Sequence, residues 1–328
     1  MKAINVINPG KKSSLEIRHV ATPEPDPHEI LVKIEATALN RADLLQRQGK
    51  YPAPEGASNI LGLEMAGIVE KIGAEVSEWH PDDFVFSLLP GGGYAEFCVI
   101  PADMAMPVPG NLSFTEAAAI PETFLTAYQA LKWVGEIREN ETVLIHAAGS
   151  GVGTSAIQLC RHLFNTRVLA TAGKKRKLET ARELGADFTY NYKRNDWAQQ
   201  VEQELGKHAA DLILDFVGAS YWNQNISVLA EDGRLVLLAM LGGTKVTRMN
   251  LIPILSRRLS IRGSTLRARS NAYKIELTRE FSNRALPLFE QGIIHPVIDS
   301  VYDWREAEEA HQRMAENKNT GKIVLTGM

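Results

Sequence analysis

A glycine-rich turn between a strand-like and a helix-like segment constrains the fold of this chain more than any other feature. The turn reads His-Ala-Ala-Gly-Ser-Gly-Val-Gly-Thr over residues 146–154. It begins within the apolar run 142–149 and leads into a helical pattern over 151–164. Glycines permit a tight turn and close approach of backbone N–H groups, and a helix N-terminus adds partial positive charge. This context predicts a pyrophosphate-binding turn. The spacing is Gly-x-Gly-x-Gly and not the strict Gly-x-Gly-x-x-Gly, so a turn without a ligand is the alternative.

The same alternation of strands and helices extends from about residue 123 to 262. The strands are nearly continuous apolar runs and the helices between them are amphipathic, which predicts a doubly wound parallel sheet covered on both faces. The further predicted strands are 167–173, 188–192, 211–218, 233–241 and 259–264, and the further helices are 175–186, 196–205 and 220–230.

The flanking regions have a different texture. Residues 1 to about 122 are rich in Pro and Gly and contain short β-like runs, such as 30–39 and 62–73, which predicts a compact, mostly β domain. Residues 263–328 carry a polar helix near 271–291, a strand at 296–304, a helix at 305–317 and a last strand at 322–327.

Composition excludes several classes of protein. The net charge of −3 gives no reason to expect nucleic acid or an anionic membrane as the main partner. Two cysteines, Cys98 and Cys160, do not make a disulfide framework. No apolar run reaches the roughly 18 residues that span a bilayer, and no signal peptide is visible. We therefore expect a cytoplasmic location.

The end of the second strand of the predicted sheet indicates which dinucleotide binds. An NAD enzyme places Asp or Glu there to accept from the ribose 2′-OH. Here Gly173 is followed by the cations of 174–177, and the first carboxylate is Glu179, inside the helix. Lys177, with the hydroxyl of Tyr192 from the third strand, suits a 2′-phosphate. The sequence thus predicts NADPH, with a solvated basic helix start as the alternative.

These features together resemble the medium-chain dehydrogenase/reductase superfamily, and within it the zinc-free, zeta-crystallin-like NADPH:quinone oxidoreductases. The chain looks closest to the tumour-suppressor-inducible quinone oxidoreductase subfamily. The segments that carry the resemblance span nearly the whole chain, in order: 39–54, 59–69, 88–97, 117–131, 146–159, 213–222 and 317–325.

The resemblance implies a GroES-like catalytic domain over 1–122, a Rossmann NADPH-binding domain over 123–262, and a returning segment, 263–328, that completes the catalytic domain. It also implies a homodimer or homotetramer, and an active site in a cleft at the carboxyl ends of the strands. Zinc-dependent relatives carry a ligand Cys where this chain has Asn40, and a His where it has Leu63 before Glu64. A catalytic zinc needs three protein ligands, so no metal is expected.

Three residues are candidates for catalysis. Asn40 and Asp43 form an Asn-x-x-Asp pattern that resembles the family's cleft motif; Asn40 is expected to hydrogen-bond the nicotinamide ribose or the acceptor carbonyl. For Asp43, a helix cap or turn is an equal alternative. Tyr51 is either a proton donor, a stacking partner for an aromatic acceptor or a loop aromatic at the domain edge.

The candidate cofactor contacts come from the glycine turn, from strand ends and, by resemblance, from the helix that enters the Rossmann domain and from the returning segment, where Arg267 is a further candidate. They are Asn40, Thr126, Ser150, Gly151, Val152, Gly153, Gly173, Lys177, Tyr192, Val217, Met240, Leu241, Leu266 and Asn317.

The predicted function is zinc-free hydride transfer from NADPH to a quinone, in which the protein mainly orients the reactants. An NADPH-dependent enone or enal reductase is the first alternative. A non-catalytic NADPH-binding, crystallin-like or RNA-binding protein is an alternative of another class.

Overall fold

The computed structural model describes residues 1–194 and 196–328. These residues form two compact units. Unit 1 comprises residues 1–125 and 266–328, and unit 2 comprises residues 126–265. The boundaries predicted from the sequence fall at 122/123 and 262/263.

Fifteen strands and ten α-helices lie within the described ranges. The strands are β1 (Lys2–Ile7), β2 (Ser14–His19), β3 (Glu29–Ala38), β4 (Glu64–Ile72), β5 (Phe84–Leu88), β6 (Phe97–Pro101), β7 (Met106–Pro107), β8 (Thr142–Ile145), β9 (Arg167–Ala172), β10 (Phe188–Asn191), β11 (Ala210–Asp215), β12 (Leu229–Leu237), β13 (Ser260–Gly263), β14 (Ile298–Asp303) and β15 (Lys322–Thr326). The helices are α1 (Arg41–Arg47), α2 (Phe114–Ala117), α3 (Pro121–Tyr128), α4 (Gly151–His162), α5 (Lys175–Glu183), α6 (Trp197–Leu205), α7 (Trp222–Val228), α8 (Ile252–Ser256), α9 (Asn271–Glu290) and α10 (Ala307–Ala315).

Unit 2 is built on a six-stranded sheet in the order β10-β9-β8-β11-β12-β13. Every neighbouring pair is parallel. The order steps outward in both directions from β8 and β11, as in a doubly wound fold, so the carboxyl ends of β8, β9 and β10 lie at one edge of the sheet. All four residues of β8 are buried, which explains why the strand reads as an unbroken apolar run.

Unit 1 is built on a seven-stranded sheet in which β14-β15-β3-β4-β5-β7 form the main path and β6 also pairs with β3. The returning strand β15 pairs antiparallel with β3, so a strand from the returning segment completes the sheet that β3 begins. β1 and β2 form a separate antiparallel hairpin. The predicted fold class, a GroES-like mostly β domain and a doubly wound Rossmann domain, is confirmed.

Clusters of buried apolar side chains hold these sheets. In unit 2, a cluster that includes Leu144, Leu169 and Ile213 is fully buried together with the large side chain of Trp197. In unit 1, residues of β3, β4 and β6 pack in one cluster that contains Cys98. Cys98 and Cys160 are both buried, as expected for core residues, and burial raises the pKa of each thiol to about 12.

One predicted strand is displaced. The sequence predicts a strand over 233–241, whereas β12 ends at Leu237. The N–H of Leu238 donates to the carbonyl of Asp215 at 2.8 Å, and the chain then turns, so that Met240 and Leu241 are 49% and 64% exposed. The apolar residues that follow Leu237 therefore lie in an exposed turn and not at the end of a buried strand.

Over the described ranges, no helix combines the length and the apolar character that a bilayer crossing needs.

Candidate dinucleotide-binding and reaction site

The glycine turn leads directly into helix α4. Ser150 is the N-cap of this helix, and its hydroxyl accepts from the N–H of Gly153 at 3.0 Å. The first N–H groups of a helix have no intrahelical partner. Those of Gly151 and Val152 are therefore the donors that this turn can offer to a phosphate.

Two glycines of the turn are required by close neighbours. A Cβ on Gly153 would lie 2.5 Å from the carbonyl oxygen of Ala147, which is backbone and cannot move aside. A Cβ on Gly149 would lie 2.5 Å from Cδ of Lys177. The aliphatic stem of Lys177 therefore packs across the turn. Lys177 belongs to α5, so this helix brings an ammonium group to the predicted phosphate-binding segment.

The end of the neighbouring strand is equally crowded. A Cβ on Gly173 would lie 2.6 Å from the hydroxyl oxygen of Tyr192, so this hydroxyl lies beside the end of β9. The structure thus brings Gly173, Lys177 and Tyr192 to the same edge of the sheet as the turn. Glu179, the first carboxylate after the turn, forms an ion pair with Lys175 at 3.4 Å.

A buried polar network supports this edge from below. Nε2 of His146 lies 2.7 Å from Oδ1 of Asn225, and Nδ1 lies 2.8 Å from the hydroxyl of Thr171. Since Nδ2 of Asn225 donates to Asp215 at 3.0 Å, its Oδ1 is the acceptor and Nε2 carries the imidazole proton. Burial lowers the pKa of His146 to about 4, so the ring is neutral and fixes the strand ends rather than reacting.

The remaining cofactor candidates of unit 2 lie after β11, after β12 and in α3. The N–H of Val217 donates to Oδ1 of Asp215 at 2.6 Å, and the N–H of Leu241 donates to the carbonyl of Phe216 at 3.1 Å. These two N–H groups are therefore already used. Thr126 is the sixth residue of α3 and therefore lies more than one turn into that helix.

The cofactor candidates of unit 1 lie in the returning segment and near α1. Leu266 is buried. Asn317 adopts a left-handed backbone conformation with φ 54°, and its Oδ1 accepts from Nη2 of Arg41 at 2.7 Å.

Asn40 belongs to a buried polar cluster of unit 1 with Glu64 and Lys322. The ammonium of Lys322 donates to Oε1 of Glu64 at 2.5 Å, to Oδ1 of Asn40 at 2.8 Å and to the carbonyl of Leu39 at 2.7 Å. Nδ2 of Asn40 donates to the same Glu64 oxygen at 2.8 Å. The other carboxylate oxygen accepts from the N–H of Glu122 at 2.8 Å. The side chains of Lys322 and Glu64 are 4% and 0% exposed.

This donor set does not fit a catalytic zinc ion. A zinc site needs three ligand atoms converging on one point. Here the Asn40 oxygen and the Glu64 carboxylate converge instead on the Lys322 ammonium, and Leu63 is a buried apolar side chain. No group of three or more His, Cys, Asp or Glu suited to a metal occurs among residues 1–194 and 196–328.

Asp43 caps helix α1 from a fully buried position. Its Oδ2 accepts from the N–H of Asn40 at 2.7 Å and its Oδ1 from the N–H of Gly62 at 3.0 Å. Burial raises the pKa of Asp43 to about 6, against the opposing effect of these two hydrogen bonds and of Lys322. These contacts are the ones expected if Asp43 caps helix α1.

Tyr51 lies against a buried arginine. The guanidinium carbon of Arg267 is 5.4 Å from the centroid of the Tyr51 ring. Burial raises the pKa of Tyr51, with Glu122 acting in the same direction and Arg267 opposing it. Tyr51 is thus a weak acid held beside a cation.

Sequence reasoning missed Glu64 and Lys322 as members of the Asn40 cluster. A signal existed in both cases. Glu64 opens β4 and is followed by apolar residues, and Lys322 opens the apolar strand β15. A charge at the start of a strand buried on both faces is unusual unless it is paired.

Comparisons with known proteins agree with this architecture. The family model of the alcohol dehydrogenase GroES-like domain matches residues 26–110. The family model of zinc-binding dehydrogenases matches residues 151–283. The human synaptic vesicle membrane protein VAT-1 homolog is 31% identical over 327 residues, which cover 96% of this chain and 83% of that protein. The quinone oxidoreductase of Lama guanicoe is 29% identical and covers 99% of this chain and 97% of its own length.

Solved structures show the same fold over the whole chain. The quinone oxidoreductase from Thermus thermophilus, whose complex with NADPH is known, is 31% identical with a TM-score of 0.82. An NAD-dependent alcohol dehydrogenase is 34% identical with a TM-score of 0.86. Each covers 100% of both chains. With its two domains, its dinucleotide-binding edge and relatives along its full length, the chain belongs to the medium-chain dehydrogenase/reductase family and is an oxidoreductase that uses a nicotinamide cofactor.

Proposed function

We propose that the protein transfers hydride from NADPH to quinones without zinc. The observation that carries the choice of NADPH is the packing of Lys177 across Gly149, with the Tyr192 hydroxyl beside Gly173. A cation and a hydroxyl at the end of the second strand of the unit 2 sheet suit a 2′-phosphate, where an NAD enzyme needs a carboxylate.

The adenosine half and the pyrophosphate of the cofactor would bind to unit 2. The turn over 150–153 would bind the pyrophosphate, and Lys177 and Tyr192 the 2′-phosphate. Of the remaining candidates, Asn40 has both amide donors in use, to Glu64 and to the carbonyl of Ala38 at 3.3 Å, and its oxygen accepts from Lys322. We therefore propose that Asn40 contacts the cofactor or the quinone only through its side-chain oxygen, which would accept a hydrogen bond. When bound, NADPH supplies the hydride.

A quinone acceptor is consistent with the donor set of unit 1. A carbonyl that must be polarised strongly calls for a Lewis acid, whereas the Asn40 cluster offers an ammonium already paired with Glu64. An electron-poor conjugated acceptor needs less polarisation. Quinone oxidoreductases among the relatives support the same choice.

Binding of the two dinucleotides to Lys177→Ala tests the cofactor assignment. A charge-assisted hydrogen bond contributes about 1.5–3 kcal/mol, so the Kd for NADPH is expected to rise about 10- to 100-fold, and the Kd for NADH to change little. Lys175→Ala is the matched control, since Lys175 is on the same helix, with its side chain 85% exposed and paired to Glu179. Equal losses for NADPH and NADH in Lys177→Ala would remove the basis for the phosphate assignment.

Turnover with a panel of acceptors tests the reaction. Ortho-quinones, para-quinones and 2-alkenals are each offered with NADPH, and quinones are expected to be the better substrates. Preference for 2-alkenals would favour the enal reductase alternative. Failure to bind micromolar NADPH in a fluorescence titration would favour the non-catalytic alternative.

We also propose that the protein forms a homo-oligomer. β13 is an edge strand of the unit 2 sheet, and the segment just before it exposes Leu251, Ile252 and Leu255 at 61%, 71% and 83%. An open edge beside exposed apolar side chains is a common pairing surface. Light scattering after gel filtration is expected to give twice or four times the chain mass of 36.2 kDa.

A further inference from the structure

Arg267 is a buried cation whose hydrogen bonds leave one donor unused. The residue is 5% exposed. Its Nε donates to the carbonyl of Pro90 at 2.9 Å, and its Nη2 donates to Oε1 of Gln46 at 2.7 Å. Its Nη1 is buried and has no hydrogen-bond partner among the described residues. Both partners that it has are neutral oxygens.

Another arginine of unit 1 shows what a satisfied site looks like. Arg47 is also buried, at 8%, but it donates to Oε1 of Glu308 at 2.7 Å and to two oxygens of Ser13. A buried N–H without a hydrogen-bond partner is destabilising, and more so when it belongs to a charged group. Native structures leave few such groups without a functional reason. The unused Nη1 of Arg267 therefore indicates an acceptor supplied by a ligand.

Around Arg267 lie a second cation, Lys274, two carboxylates, Asp43 and Glu122, and one aromatic face. Lys274, on α9, is 4% exposed, and its pKa is lowered by burial and further by Arg267, while Glu122 opposes the shift. Burial also lowers the pKa of Arg267, with Asp43, Tyr51 and Glu122 opposing. The ring of Tyr51, 5.4 Å from the guanidinium carbon, offers a flat apolar surface for an aromatic ligand.

We propose that Nη1 of Arg267 binds the oxygen of an aromatic acceptor that becomes a phenolate on reduction, with the acceptor ring against Tyr51. This assignment rests on the proposed quinone reduction and names the group that stabilises its product. Bound NADPH would supply a hydride, which would form an O–H bond at one quinone oxygen as the nicotinamide C–H bond breaks. The π electrons would shift through the ring, so that the other oxygen becomes the phenolate held by Nη1 of Arg267. The quinone would thus be reduced by two electrons and the nicotinamide oxidised, and water would then supply a proton to the phenolate.

The geometry also states a preference among substrates. An acceptor that develops a full negative charge on oxygen gains most from a preorganised guanidinium in a buried site. Quinones, whose reduction gives a phenolate, meet this condition, whereas isolated ketones do not present an aromatic face to Tyr51.

Binding of 4-nitrophenol, in the absence of any dinucleotide, tests the site. This unreactive analogue of the product is measured by equilibrium dialysis above and below its own pKa, and the visible absorbance of its ionised form reports bound phenolate. The wild-type protein is expected to bind the phenolate at least tenfold more tightly than the neutral phenol, and Arg267→Gln to lose this preference. Arg267→Lys, which keeps the charge but not the fork of donors, is expected to retain part of it.

Arg279→Gln is the matched control. Arg279 belongs to the same unit, pairs with Glu276 at 3.2 Å, and is exposed, so its variant changes net charge equally without touching the site. Retention of the phenolate preference in Arg267→Gln would overturn the proposal. So would equal binding of both forms by the wild type, a measurement that needs no variant to fold.

The two proposals fail separately. Phenolate binding with no NADPH-dependent quinone turnover would refute the proposed function and leave the anion site in place. Quinone turnover without a preference for the phenolate would refute the anion site and leave the proposed function in place.

Discussion

Lys322→Met provides the sharpest test of the buried cluster in unit 1. The substitution keeps a long apolar stem and removes an ammonium that makes three hydrogen bonds, to Glu64, Asn40 and Leu39, at 2.5–2.8 Å. The Glu64 carboxylate is then left at 0% exposure, with only the Asn40 amide and the Glu122 N–H as donors. Removing one partner of a buried ion pair costs about 3–5 kcal/mol, a large part of an ordinary stability of about 5–15 kcal/mol.

Urea unfolding followed by circular dichroism and by fluorescence measures this cost. The midpoint is expected to fall without a change in slope, since the surface exposed on unfolding is the same. The double variant Lys322→Met with Glu64→Gln removes both charges, and its loss is expected to be smaller than the sum of the two single losses by at least about 1 kcal/mol. Additive losses, or a loss below about 1 kcal/mol for Lys322→Met alone, would refute the account of the cluster as a tightly coupled ion pair.

Three other substitutions address different parts of the fold. Burial raises the pKa of Asp43 in the folded state from 3.8 to about 6. Between these two pH values the folded state binds more protons than the unfolded state, so the free energy of unfolding falls by about 3 kcal/mol as the pH rises. Asp43→Asn should remove this pH dependence in urea titrations at several pH values, and an unchanged pH dependence would contradict the burial argument. Gly67→Ala drives a Cβ into the carbonyl oxygen of Lys33 in the adjacent strand, so thermal unfolding should show a loss above about 2 kcal/mol, which wild-type stability would disprove. In Gly173→Ala the new Cβ meets side-chain ends, the hydroxyl of Tyr192 at 2.6 Å and Cε of Lys193 at 3.0 Å, so the melting temperature should change little while the Kd for NADPH rises. A large loss of stability with unchanged binding would reverse that interpretation.

The Rossmann unit was predictable from the sequence because its signals are local. Strands β8 to β11 of its sheet are short runs, each followed within a few residues by a helix, and the predicted strand 142–149 and helix 151–164 correspond to β8 and α4. The strand over 233–241 was misplaced because apolar letters do not distinguish a buried strand end from an exposed turn such as that at Met240.

The cluster of unit 1 was less predictable because its members are distant in the sequence. Asn40, Glu64 and Lys322 meet only after β15 pairs with β3, across 282 residues for the contact between Lys322 and Asn40. The helix-capping contacts of Asp43 are local and were anticipated as an alternative. The unused donor of Arg267 is a property of three-dimensional packing, which no pattern of residue types reports.

The pairing of β15 with β3 also affects the order in which the molecule can fold during synthesis. Unit 2 is one continuous segment, residues 126–265, so its sheet can close as soon as that segment has left the ribosome. Unit 1 cannot neutralise the buried carboxylate of Glu64 until Lys322 has been translated. A nascent chain that stalls before this lysine would hold a finished nucleotide-binding fold and an incomplete unit 1, and it is in this interval that chaperones would be most needed.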